Sequence, residues 1–125
     1  MKKFMFMLVL GCASLAFNVA HGHGNAEPEH GGVLNVVGDM TFELVANATG
    51  AELYVEDDGE ELSSEGLNAK LTIVSASGKS DVTMKPAGGN KFEAKGVSLA
   101  SGTKVAVMLT LKDKQSKIGT NFTIK

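Results

Sequence analysis

Cysteine is all but missing from this 125-residue chain: the single one, Cys12, falls inside the first apolar run. Beyond that run there is no thiol to form a disulfide, ligate a metal or act as a nucleophile, and no cysteine for a blue-copper centre. Tryptophan is absent too. After the leader the aromatics are Phe42, Tyr54, Phe92 and Phe122. No second long apolar run exists, so no later segment approaches the roughly 20 residues that a membrane helix needs. There is no basic excess: the formal net charge is −2, which argues against nucleic acid as a partner. Histidine is confined to His21, His23 and His30. That excludes a histidine-dependent triad within the body of the fold and leaves no rigid three-ligand zinc scaffold. The acidic pairs of the Glu56–Glu61 turn read as solvated rather than tuned for acid–base work. A non-enzymatic role is the expectation.

What is present begins with an export signal. Met1, Lys2 and Lys3 lead into the apolar run Phe4 to Phe17, followed by small residues. The run is too short to span a membrane comfortably, and without an Arg-Arg pair it points to the general secretory route of a bacterium. The expected signal is 1–20, with the cut as late as Ala26, because Ala20/Gly22 and Gly24/Ala26 both offer small residues at the right spacing. Val9-Leu10-Gly11-Cys12 loosely resembles a lipoprotein box, but Leu10 is not small and the apolar run continues to Phe17, which argues against anchoring at Cys12. The periplasm is the expected compartment.

From Gly32 onward the pattern is alternation. Val33–Val37 is a short apolar run; Met40, Phe42 and Leu44 alternate with Thr41 and Glu43, and Leu53 and Val55 with Glu52, Tyr54 and Glu56. The same period recurs at Leu71/Ile73, Val82/Met84, Phe92/Ala94, Val105/Val107/Leu109/Leu111 and Ile118/Phe122/Ile124. Period two places successive side chains on opposite faces of half-buried strands. Gly38-Asp39, Asn47–Gly50, Asp58-Gly59, Ser77-Gly78, Gly88-Gly89-Asn90, Ser101-Gly102 and Lys112–Lys114 supply the turns. Pro86 is placed to end a strand. The spacing predicts one all-β domain over 32–125, an antiparallel β-sandwich of immunoglobulin-like type, with a small barrel as the alternative. Residues 21–31 lack apolar anchors and are expected to form a flexible, His/Gly-rich tail.

The candidate ligands lie in that tail. With a cut after Ala20, the new amine, two amides and the His23 imidazole could surround Cu(II) or Ni(II) in a square plane, with His21 as a further donor. With a cut after Gly22, His23 comes first and chelates through its amine and ring. With a cut after Ala26, only His30 remains. His30 survives every cut and has Glu29 and Glu27 beside it as oxygen donors. It reads either as a solvated tail residue or as one ligand of a shared surface site. Met40 and Met84 fall in core phases, whereas Met108 has the opposite phase from Val107 and Leu109. The expected metal set is His21, His23, His30 and Glu29, binding copper or another divalent ion.

The segments Glu29-His30-Gly31-Gly32-Val33, Phe42-Glu43-Leu44-Val45, Glu52–Gly59 and Lys85–Gly96 together resemble small proteobacterial periplasmic proteins associated with heavy-metal efflux, and the similar β domain of metal-efflux adaptor subunits. The resemblance covers about His30 to Lys125 and implies a metal or partner site near His30-Gly31-Gly32, with an efflux adaptor or another envelope protein as partner. The adaptor's helical hairpin is lacking, so the chain is not itself an adaptor. There is a looser likeness to periplasmic copper-resistance sandwiches, whose internal histidine ligand has no counterpart here. The competing expectation is a metal-independent interaction module of the envelope, docking by a strand edge or by its acidic hairpin.

Overall fold

The computed structural model describes residues 27–113 and 115–125, and His21, His23 and Cys12 lie outside them. The described chain is all-β and contains no helix, so no helix there is long and apolar enough to cross a membrane. The strands are β1 (Val33–Val37), β2 (Met40–Asn47), β3 (Gly50–Asp57), β4 (Glu60–Glu61), β5 (Asn68–Ser75), β6 (Gly78–Pro86), β7 (Lys91–Lys95), β8 (Lys104–Thr110) and β9 (Lys117–Thr123). Each alternating run became a strand, and each Gly- or Asn-bearing break between them became a turn. The short β4, with no apolar residue, pairs with the end of β3.

All pairings are antiparallel, in the order β1-β2-β3-β7-β6-β5-β8-β9. The path winds into a nearly closed, barrel-like sheet in which β1 and β9 pack together at the seam. Nothing in the pairing sets apart an immunoglobulin-like sandwich. At the seam the Asn35 amide donates to Thr120 Oγ1 at 3.3 Å and to the Asn121 carbonyl. Strand β6 turns the corner between the two halves: Gly78–Met84 pairs with β5, whereas Lys85 and Pro86 pair with β7. Pro86 closes the strand, where its missing N–H disturbs no long ladder.

The core is filled by the inward phase of each strand. Phe42, Leu44, Leu53, Val55, Leu71, Phe92, Val105, Val107 and Leu109 are all but inaccessible, and Met40 and Met84 join them. Met108 points the other way and is 39% exposed, as its phase predicts. Strand β2 is unusual because its outward phase is buried as well: Thr41 is 5% exposed and Glu43 only 4%. A carboxylate in the outward phase of a strand is ordinarily in water. What covers Glu43 is the chain leading into β1.

Candidate functional site

Residues 27–32 lie over the outer face of β2, and Glu43 is the group that holds them. The backbone N–H groups of Glu29 (3.0 Å), His30 (2.8 Å) and Gly32 (2.9 Å) all donate to its carboxylate, and His30 Nδ1 lies 3.0 Å from Oε1. Register explains the placement: Glu43 opposes Leu34 on β1 and Tyr54 on β3, both outward-facing, so the lead-in crosses a strip whose centre is Glu43. The two glycines have separate reasons. Gly31 adopts φ +74°, a left-handed conformation in which glycine carries no Cβ penalty. At Gly32 a Cβ would sit 2.3 Å from the Leu44 carbonyl oxygen, so only a glycine lets the backbone approach β2 this closely.

His30 is fixed on two sides. Its ring lies flat on Tyr54, with centroids 3.6 Å apart and planes 5° from parallel. Its Nδ1 faces a carboxylate that already accepts backbone N–H groups. An ionised carboxylate only accepts, so Nδ1 carries the hydrogen and donates it. In the neutral ring the lone pair is then on Nε2. No hydrogen bond to Nε2 occurs among the described residues, and the side chain is 39% exposed. Tyr54 is held in turn by donating its hydroxyl to Glu52 Oε2 at 2.8 Å.

The electrostatics match this arrangement. Burial alone would push the Glu43 carboxyl up, but the Gly32 amide, the His30 ring and the His30 amide more than reverse it and hold the group below the ordinary carboxylate range. Glu56, beside Tyr54's other flank on β3, is raised, first by burial and then by the like charges of Glu29, Glu61 and Glu43. Burial and the neighbouring Glu52 push the Tyr54 phenol up to about 12. Glu27, Glu29, His30, Glu43, Tyr54 and Glu56 thus line one recess of about 20 Å³, enough for a water molecule or a bare ion.

Of the sequence-predicted ligands, the structure places both His30, whose Nδ1 is on Glu43, and Glu29 in the lining of this recess. It does not bring a third ligand to them: among the described residues no group of three or more His, Cys, Asp or Glu side chains is arranged to hold a metal ion. A borderline ion fits the donor types, imidazole nitrogen with carboxylate oxygen. Its coordination there would be completed by water, by a partner or by donors outside the described residues. Sequence reasoning missed Glu43 and Tyr54 as site residues. Both sit in the polar phase of their strands, and period two marks only which face a residue takes, not whether another segment covers that face. Comparison with protein-family models, with curated proteins and with solved structures finds no match for this chain.

Proposed function

We propose that the protein is a non-enzymatic periplasmic binding protein for copper or a similar divalent ion, accessory to heavy-metal efflux. The observation that supports it best is the setting of His30: Nδ1 lies 3.0 Å from a buried carboxylate, the ring is stacked on Tyr54, and the residue lines an acidic recess. Histidines that ligate metals ordinarily hand their other ring N–H to a carboxylate or carbonyl in this way, which fixes the tautomer and raises basicity. Carboxylates at Glu29 and Glu56 draw cations toward the recess. His21 and His23 add imidazole donors in the exported form if the signal is cut after Ala20, and His23 alone if it is cut after Gly22. The partner would be an efflux adaptor or another envelope protein that takes the ion over.

Calorimetric titration of the exported protein with Cu(II) and Zn(II) tests this reading. Binding that falls at least tenfold in His30→Ala supports it; affinity equal to that of His30→Ala, with or without the first histidines, refutes it. The exposed acidic hairpin, Asp57 to Glu61, keeps a second reading in view, that of a metal-independent docking module. Pull-down of an envelope partner that is lost on neutralising Glu60 and Glu61, and is indifferent to chelator, would favour it.

A further inference from the structure

Glu43 does two things with one carboxylate. It orients the His30 ring through Nδ1, and it binds the backbone amides of Glu29, His30 and Gly32. All three amides and the ring nitrogen thus converge on one side chain. The ring and the lead-in segment are therefore held by the same group, and what changes at one is felt at the other.

We infer that ion binding at His30 Nε2 and the docking of residues 27–32 onto β2 are linked, with Glu43 as the coupling group. An ion on Nε2 withdraws electron density from the ring, which makes Nδ1–H a stronger donor and tightens its bond to Glu43. The segment then docks more firmly. Linkage requires the reverse as well: a docked segment presents Nε2 with its lone pair free and binds the ion more tightly, by the same factor. Gly32 belongs to this device because its bare backbone permits the close approach to Leu44. Glu43 is a positioning residue, since it acts on the ion through the ring and not directly.

The inference rests on the metal reading above, and the test separates the two. Zn(II) serves as a diamagnetic probe on the full exported protein. In the wild type, ring ¹⁵N shifts in the ion-free protein should show the Nδ1–H tautomer. Saturation with Zn(II) should raise hydrogen-exchange protection at the Glu29, His30 and Gly32 amides. Glu43→Gln and Gly32→Ala should each lower Zn(II) affinity about 10- to 100-fold, the range for losing a partner that orients a ligand. Glu43→Gln should also give a mixed tautomer. Gly32→Ala leaves the Glu43 charge in place and blocks only the approach, so it distinguishes docking from simple electrostatic attraction. Binding that depends on His30 but is unchanged in both variants, with no change in amide protection, overturns the linkage and leaves the metal reading standing. Binding independent of His30 overturns both.

Discussion

Gly32 has no room for a methyl group, Gly31 has room but a left-handed φ, and the two substitutions should fail differently. Gly31→Ala strains a backbone that β-carbon-bearing residues rarely adopt and should cost about 1 kcal/mol. Gly32→Ala drives a Cβ into the Leu44 carbonyl, so the lead-in must lift off β2, and proteolysis near residue 30 should accelerate while the core melts nearly as before. Glu43→Ala removes the acceptor of several amides and should destabilise by about 1–3 kcal/mol, measured by denaturant unfolding. The sign of its pH dependence follows from its lowered carboxyl: the stabilisation is present above the ordinary carboxylate range and is lost as pH falls through the lowered value. Acid unfolding of Glu43→Gln should lack that component. Tyr54 works from the other side. Its phenol is held neutral up to about 12, so its contribution is complete below the free tyrosine's value of about 10 and disappears as pH rises through 12. Because Tyr54 is the only tyrosine and the chain has no tryptophan, a single ultraviolet titration reads it directly. Glu52→Gln should bring the midpoint down, since Glu52 both accepts the phenol proton's hydrogen bond and repels the phenolate. His30 was visible in the sequence as the one histidine that every cleavage spares. The carboxylate that holds it was not, because Glu43 looks like any outward strand residue until the covering segment is in place.

Among the elements, β2 and β3 carry both the core and the site. Their inward residues Phe42, Leu44, Leu53 and Val55 are at 0% exposure, while the outward partners Glu43 and Tyr54 face each other across the pair. Truncating Phe42 to alanine should cost about 3–5 kcal/mol, and it should release the site only when the whole sheet opens. At Gly50 a Cβ would meet the Ala94 carbonyl oxygen at 2.0 Å, so Gly50→Ala should break the pairing of β3 with β7 and lower the melting temperature sharply. The strand positions were legible because alternation and turn residues agree along the chain: Met84 and Pro86 inside and at the end of β6, Met108 outside on β8, and Asp58-Gly59 in the turn before β4. The strand order was not legible. Local patterning says nothing about β7 returning to lie between β3 and β6, since that pairing is set by long-range packing of Phe92 and Ala94 into the shared core.

For the whole molecule, near-closure of the sheet removes most of the exposed edge that an open β sheet would offer to other chains. The seam between β1 and β9 depends on Asn35 rather than on a continuous ladder. Asn35→Ala should therefore cost about 1 kcal/mol, with hydrogen exchange accelerating first in β1 and β9. Glu27, Glu29, Glu43 and Glu56 all line the recess, so the field there is that of a carboxylate cluster. Cation attraction to the recess should accordingly weaken with added salt. The central claim is that the Nε2 of a Glu43-held, Tyr54-stacked His30 takes a divalent ion. The stacked ring makes the most direct measurement available: Cu(II) bound at His30 sits against the only tyrosine, whose emission it should quench. The account predicts saturable quenching of Tyr54 at neutral pH in the wild-type protein that is lost in His30→Ala. Quenching of equal strength in His30→Ala, or no saturable quenching in either protein, would contradict it.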